Sequence, residues 1–301
     1  MNNLSARDAF SGLHPGPCYL FFGFVLLFTV AFMHPAVLGV SFLCATAYAV
    51  YLGKGKAVRF TLAFLVPVMI VAAVLNPAFN HRGATVLFYL WTGNPVTLES
   101  LLYGVAGALM IGAVIQWCYC YSVTMTSDKF LWLFGRVAPS FALVISMALR
   151  LIPRYTVQAR RIASARAGLG RGVGTGSIIA RARGGLAVFS IMTTWALENT
   201  VDTADSMLSR GYGTRRRTAY SNYRLARRDG LVLGLLGSAV VICVLLVATG
   251  AVSMAYFPVF TTGGNIGTEV FLVLIWAMAC LTPLVLGIGE DVRWRSLRSR
   301  I

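Results

Sequence analysis

The chain has 301 residues, of which 57% are hydrophobic and only 12% are charged, and its mean hydropathy is +0.74. Because soluble globular domains are about 25% charged, this composition excludes a soluble globular protein and predicts a polytopic membrane protein. A net charge of +16 would suggest nucleic-acid binding in a soluble protein. In a membrane protein, uneven placement of Lys and Arg across the bilayer accounts for such a charge, and we expect no nucleic-acid partner.

Apolar runs of spanning length predict about six transmembrane helices. They occupy residues 18–33, 35–52, 57–75, 98–123, 231–250 and 268–288. The first two runs meet at His34-Pro35, which predicts a tight turn. The polar N-terminal segment MNNLSARDAFSGLHPGP lacks the pattern of a cleavable signal peptide.

Six spans place both termini on the same side of the membrane. Arg82 alone of the 26 Lys and Arg residues then falls on the opposite side, so the positive-inside rule predicts cytoplasmic termini. The chain divides into a membrane region, 1–123, with four spans, a cytoplasmic region, 124–230, and a second membrane region, 231–301. The last of these has two spans and a basic cytoplasmic tail.

The region 124–230 has helix signals but no run of full spanning length. Its apolar runs 137–149 and 185–197 are shorter than the ~20 residues of a spanning helix, which favours amphipathic helices or a short hairpin that enters the bilayer. We predict one helix that begins at Pro153 and ends at Gly168. A second helix is predicted from about residue 185 to Ser209, followed by Gly211 and Gly213.

Charged side chains on these two helices predict salt bridges between them. Glu198, Asp202 and Asp205 form one acidic stripe on the second helix. The first helix carries several arginines: Arg154, Arg160, Arg161 and Arg166. We expect Asp205 in particular to steady the neighbouring helix.

No motif indicates catalysis or metal binding in this chain. The stretch 168–177, GLGRGVGTGS, lacks the lysine of a P-loop and predicts a connector, so we expect no ATP site. The histidines His14, His34 and His81 form no metal-binding pattern. Glu99 and Glu269 lie at the edges of spans, which argues against a proton-coupled carrier.

Each of the two predicted helices bears an arginine between small residues near its C-terminal end. The triplets are Ala165-Arg166-Ala167 and Ser209-Arg210-Gly211. Small neighbours leave a guanidinium accessible for bidentate docking on a carboxylate, although arginines also complement the dipole at helix C-termini. The run Arg215-Arg216-Arg217 lies beyond the helix-ending glycines and predicts contact with anionic lipid.

At these triplets the chain resembles the transmembrane T component of energy-coupling-factor (ECF) transporters, the EcfT/CbiQ family. The resemblance covers most of the chain, and its motifs occur in the family's order. They are Asn76-Pro77, HRGATVLFYL with Gly83, TLESLLYG at 97–104, TSDKFLWLFGRVAPS at 126–140, MALRLIPRY at 147–155, QARRIASARAG at 158–168 and ADSMLSRGY at 204–212.

The resemblance implies an all-α polytopic protein of the prokaryotic plasma membrane with long amphipathic coupling helices. It implies a non-catalytic subunit in which Arg166 and Arg210 engage two ABC-type ATPase subunits, and these partners bind the ATP and Mg²⁺. A separate membrane-embedded S component binds the cargo, a vitamin or a transition-metal ion. The triplets differ from the family's common Ala-Arg-Gly but keep the arginine and its small neighbours.

Two other classes of protein stay open at this point. A polytopic enzyme acting on a lipid or isoprenoid substrate would need an Asp-rich or His-containing cluster, and only Glu198, Asp202 and Asp205 offer one. A membrane scaffold could bind anionic lipid through its basic segments. Neighbouring ATPase genes, or co-purified subunits with Walker motifs, would favour transport.

Overall fold

A computed structural model describes residues 9–89, 95–170, 172, 177–214, 223, 225–258 and 260–299. Side chains of residues 88, 136, 137 and 262 fall outside this description. The chain forms two compact units, of which one comprises residues 1–129 with 223–301 and the other comprises 130–222. The predicted boundaries at 123/124 and 230/231 concern the membrane and remain predictions.

The described residues are almost entirely helical. The helices are α1 (Pro15–Ala31), α2 (Pro35–Gly53), α3 (Gly55–Phe60), α4 (Val66–Phe79), α5 (Leu98–Thr124), α6 (Ser127–Val137), α7 (Pro139–Gly168), α8 (Ile178–Ser209), α9 (Arg227–Ala248) and α10 (Ile266–Arg298). A π-helical turn, Thr61–Leu65, joins α3 to α4. Two short antiparallel ribbons pair β1 (Val86–Tyr89) with β2 (Pro95–Thr97) and β3 (Met254–Ala255) with β4 (Thr261–Thr262).

Six helical segments of the described chain are long and apolar enough to cross a membrane. They are Pro35–Gly53, Gly55–Phe79, Leu98–Thr124, Pro139–Gly168, Arg227–Ala248 and Ile266–Arg298. The prediction of an all-α polytopic membrane protein is therefore confirmed. The set of six differs from the predicted set, because α1 has only 17 residues whereas α7 qualifies by length and composition.

The larger unit is built around α5, which packs against α1, α2 and α4. Phe21 and Phe22 of α1 meet the Trp117 ring at centroid distances of 5.5 and 6.3 Å. The Trp117 indole donates a hydrogen bond to Ser41 Oγ at 3.0 Å, and Ser41 Oγ lies 3.1 Å from Thr29 Oγ1. Burial of this small polar network is tolerated because its members satisfy one another.

His34 forms the predicted turn between α1 and α2 and is buried there. Its ring stacks on Phe32, and neither ring nitrogen has a hydrogen-bond partner among the described residues. Burial lowers the pKa of His34 from its ordinary value of 6.5, and the nearby Glu269 carboxylate partly offsets this effect.

The lowered pKa of His34 predicts a loss of stability in acid. Since the folded protein disfavours the charged imidazole, the unfolded chain binds more protons below its own pKa of about 6.5. We expect the melting temperature to fall as the pH drops below that value, and His34→Gln to flatten this dependence. A thermal-shift series between pH 5 and 8 would measure it, and an unchanged slope in His34→Gln would contradict the assignment.

Candidate functional site

The first triplet, Ala165-Arg166-Ala167, lies in the last turn of α7. Leu169 N–H donates to Arg166 O at 3.2 Å, and Gly170 N–H donates to Ala167 O at 3.0 Å. Gly170 has a φ of +73°, a conformation that glycine adopts at little cost and that commonly ends a helix. The helix end was predicted correctly at Gly168, and the residue that turns the chain is Gly170.

The start of α7 was predicted wrongly. The helix begins at Pro139 and has 30 residues, so Pro153 lies inside it. An internal proline removes one backbone hydrogen bond, but the helix continues because both flanking segments are long and helical. Residues 139–149 of the apolar run and the arginine-rich segment after Pro153 therefore lie in one helix about 45 Å long.

The second triplet, Ser209-Arg210-Gly211, ends α8 with a complete Schellman motif. Tyr212 N–H donates to Met207 O at 3.0 Å, and Gly211 N–H donates to Leu208 O at 2.9 Å. Gly211 has a φ of +79°, and Arg210 is the C-cap residue. The small residue after Arg210 therefore has two effects: Gly211 adopts the positive φ that ends the helix, and it leaves the arginine side chain uncovered.

Helix α8 begins earlier than predicted. It runs from Ile178 to Ser209, a span of 32 residues, rather than from about residue 185. Ser177 is the N-cap, and its hydroxyl accepts a hydrogen bond from Ala180 N–H at 3.4 Å. Ser177 directly before an apolar run is an N-cap signal that the glycine-rich stretch before it obscured.

The two arginines lie in different surroundings. Arg210 is exposed, as are Ser209 and Gly211, whereas Arg166 is half-buried between the exposed Ala165 and Ala167. Arg166 Nε is buried without a hydrogen-bond partner in the described part of the chain. A carboxylate that meets Arg166 in this conformation must therefore bind the two terminal nitrogens rather than the Nε side.

Helices α7 and α8 contact one another through aromatic rings. The Tyr155 and Trp195 rings meet edge to face at a centroid distance of 5.4 Å, and the Arg154 guanidinium lies 5.6 Å from the Trp195 ring centroid. A cation–π contact of this kind contributes about 0.5–1 kcal/mol at exposed sites.

The predicted salt bridges between these helices are absent from the described residues. The one ion pair found among the described residues joins Arg228 to Glu290 at 3.5 Å, and neither residue belongs to the acidic stripe. Glu198, Asp202 and Asp205 are exposed, so water solvates them at little cost and the weak gain of a surface pair does not hold them to α7. No hydrogen bond or ion pair in the described chain joins the two arginine triplets to each other.

Some predicted features lie outside the described residues. They are Arg215, Arg216 and Arg217, predicted to contact anionic lipid, and residues 171 and 173–176 of the glycine-rich connector. Within the described ranges, no group of three or more His, Cys, Asp or Glu side chains could hold a metal ion.

Sequence reasoning missed the polar cluster at the start of α5. Glu99 is buried, and its carboxylate accepts the Thr85 hydroxyl at 2.7 Å. Thr97 caps α5 and donates from its hydroxyl to Arg82 O at 2.8 Å. A Cβ added to Gly83, whose φ is +143°, would lie 2.6 Å from both Glu99 Oε2 and Thr97 Oγ1.

This cluster ties the loop after α4 to the first turn of α5. Threonine directly before an apolar run is an N-cap signal and could have located Thr97 from sequence. The approach of Gly83 to Glu99 could not have been found that way, because it depends on how the loop folds back.

The fold is that of an all-α polytopic membrane protein. The family of cobalt transport proteins called CbiQ matches this sequence over residues 11–220. The chain therefore belongs to the CbiQ family, as the motifs indicated.

Two curated relatives are uncharacterized proteins of Mycoplasma. The chain is 29% identical over 113 residues to protein MG181 of Mycoplasma genitalium, and the alignment covers 37% of this chain and 27% of that protein. It is also 29% identical over 113 residues to the MG181 homolog of Mycoplasma pneumoniae, with 37% of this chain and 26% of the homolog covered. The chain thus matches about a quarter of the length of these relatives.

Proposed function

We propose that this chain is the energy-coupling T component of an ECF-type ABC importer. The observation that carries the proposal is the pair of helices α7 and α8. Each has at least 30 residues, and each ends with an arginine between small residues, followed within four residues by a glycine of positive φ.

In this proposal Arg166 and Arg210 dock on two ABC-type ATPase subunits. The partner surface offers a carboxylate to each guanidinium, since a desolvated charged contact is the strongest that arginine makes. The partners bind ATP and Mg²⁺, and this chain supplies no catalytic group. ATP-driven closure of the ATPase pair displaces the docked ends of α7 and α8 relative to one another.

The helices transmit that displacement to the membrane, where a substrate-binding S component reorients and releases its cargo. This step requires stiff helices, and the Tyr155–Trp195 contact supports stiffness by bracing α7 against α8. The cargo is a transition-metal ion or a vitamin, and the family's description as a cobalt transport protein favours the metal ion.

Topology in this proposal follows the positive-inside rule, with both termini and the two arginine triplets in the cytoplasm. The membrane is the plasma membrane of a prokaryotic cell. Docking on soluble ATPases requires the triplets to lie on that side.

The test is reconstitution of the full chain with its partners. We expect the tagged chain, co-expressed with neighbouring genes for Walker-motif proteins and small membrane proteins, to purify as a complex that hydrolyses ATP. Cells that hold the complex should accumulate ⁵⁷Co²⁺ or a labelled vitamin, and a Walker-lysine variant of the ATPase should abolish uptake. Failure of the chain to bind any ATPase while correctly inserted would refute the proposal.

A further inference from the structure

A polar cleft opens at one end of the larger unit. Its volume is about 1110 Å³, and it is bounded by the segment before α1, the end of α2, the start of α9 and the last turns of α10. Four cationic side chains line it together with three carboxylates, namely Lys54, Arg228, Arg295 and Arg298 with Asp229, Glu290 and Asp291.

The three carboxylates already have partners. Asp229 accepts Ala226 N–H at 2.9 Å and His14 N–H at 3.4 Å. Asp291 accepts the Tyr51 hydroxyl at 2.9 Å, and Glu290 forms the ion pair with Arg228 at 3.5 Å. The acidic groups of the cleft are thus committed to the protein's own donors.

Three cations remain without a carboxylate within ion-pair distance among the described residues: Lys54, Arg295 and Arg298. They come from two helix ends, the C-terminus of α2 and the last turns of α10. Cations at helix C-termini complement the dipole of their own helix, but that effect does not require them to share one cleft.

The backbone at Lys54 is a second, independent observation. Lys54 has a φ of +47° and a ψ of −130°. Among the described residues it is the only one other than glycine that has a positive φ. Glycine adopts this region freely and a lysine does so only under strain, and strained residues cluster at binding sites. Lys54 stands between Gly53 and Gly55, at a position where a glycine would fit the backbone conformation better. The chain therefore carries a positive charge at a position that favours glycine.

Aromatic side chains place the cleft at the level of a membrane surface. Tyr51, Tyr223 and Trp294 line it, and tyrosine and tryptophan are enriched where membrane helices meet the headgroups. The ring of Tyr51 packs on Gly287, where an added Cβ would lie 2.7 Å from it. Helices α2, α9 and α10, all of spanning length, end or begin at the cleft.

We propose that this cleft binds the phosphate group of a membrane phospholipid, with Lys54, Arg295 and Arg298 as its ligands. A free phosphate ion would offer the same chemistry. The cleft's position at the ends of three candidate spans favours the lipid, whose acyl chains can follow the adjoining apolar helix surfaces. None of the residues that line the cleft belongs to an arginine triplet.

Native mass spectrometry of the full chain, released from detergent micelles, tests the proposal. The probes are dioleoyl phosphatidylglycerol, dioleoylglycerol, which lacks the phosphate, and inorganic phosphate. We expect the wild type to retain phosphatidylglycerol, and Lys54→Gln/Arg295→Gln/Arg298→Gln to lose roughly tenfold or more in affinity. The matched control, Lys56→Gln/Arg59→Gln/Arg293→Gln, also removes three positive charges, from exposed residues that do not line the cleft, and should bind as the wild type does.

Lys54→Gly separates a binding role from a folding role. Relief of backbone strain should raise the melting temperature by on the order of 2 °C, while phosphatidylglycerol affinity falls. Equal lipid affinity in the triple variant and the control would overturn the proposal. Binding of inorganic phosphate without phosphatidylglycerol would overturn the lipid assignment, and equal retention of dioleoylglycerol would overturn the assignment of the phosphate group.

Discussion

Arg166→Glu and Arg210→Glu are each expected to abolish uptake and to release the ATPase subunits during purification, while the protein still inserts into the membrane. Removal of one partner of a desolvated arginine–carboxylate contact costs about 2–5 kcal/mol of binding free energy. This loss corresponds to about 30-fold to several thousand-fold in affinity. Reversal of the charge adds repulsion against the partner's carboxylate.

Arg160→Glu is the matched control for these variants. Arg160 is exposed on α7, and its replacement changes the net charge by the same amount without altering a triplet. We expect it to leave ATPase recovery and uptake nearly unchanged. If it reduced both as strongly as the triplet variants do, general electrostatic attraction would replace specific docking as the explanation.

The conservative variants distinguish docking by geometry from docking by charge. Lysine keeps the positive charge but lacks the planar fork that binds a carboxylate through two parallel hydrogen bonds. We therefore expect Arg210→Lys to retain only part of the ATPase affinity. If Arg210→Lys bound the ATPase subunits as tightly as the wild type does, a point charge would be sufficient for docking at this helix end.

Gly104→Ala is expected to destabilise the larger unit by about 1–3 kcal/mol, the usual cost of overpacking. Gly104 is buried on α5 where that helix packs against α4. An added Cβ would lie 2.7 Å from the Ala73 carbonyl oxygen, a backbone atom that cannot rotate away. Asn76 anchors the same contact by donating from its side chain to Ser100 O at 2.9 Å.

Gly234→Ala provides the control for this stability prediction. Gly234 lies within α9, and an added Cβ there would have no heavy atom within 4 Å. Alanine should therefore stabilise that helix slightly, because glycine costs about 0.5–1 kcal/mol inside a helix. Thermal-shift measurements in detergent should move in opposite directions for the two variants, and equal shifts would contradict the packing argument.

The same packing explains part of the motif pattern by which the family was recognised. Asn76-Pro77, Gly83 and Thr97–Gly104 lie far from the arginine triplets in sequence, yet they form close contacts between α4, the following loop and α5. These motif residues hold the fold together and need not contact a partner.

Local signals predicted helix ends better than helix beginnings on α7 and α8. Both ends carry glycines that adopt positive φ at little cost. Gly170 and Gly211 therefore end the helices through the local backbone, without help from tertiary contacts. Both beginnings were misplaced. Pro153 resembles a helix start because proline suits the first turn, but it lies inside the 30-residue helix α7, where it removes a single backbone hydrogen bond.

The amino-acid sequence alone determined the class of this protein, the position of most helices and the two arginine triplets. Composition, apolar run length and short motifs are properties of consecutive residues, and they act through the local solvent and the local backbone. The tertiary structure decided which side chains meet. The contact of Trp195 with α7, the exposure of the acidic stripe and the burial of Glu99 follow from the way distant segments pack.

The cleft around Lys54 shows the same division. In the sequence its cations belong to two basic segments that lie about 240 residues apart. In the fold these segments are close together, as the hydrogen bond between Tyr51 and Asp291 shows. Residue type alone assigns them to the excess of positive charge that is predicted on the cytoplasmic side of the membrane. Only packing of the ends of α2 and α10 brings them to one surface, because helix length and helix crossing, rather than sequence order, set which ends coincide.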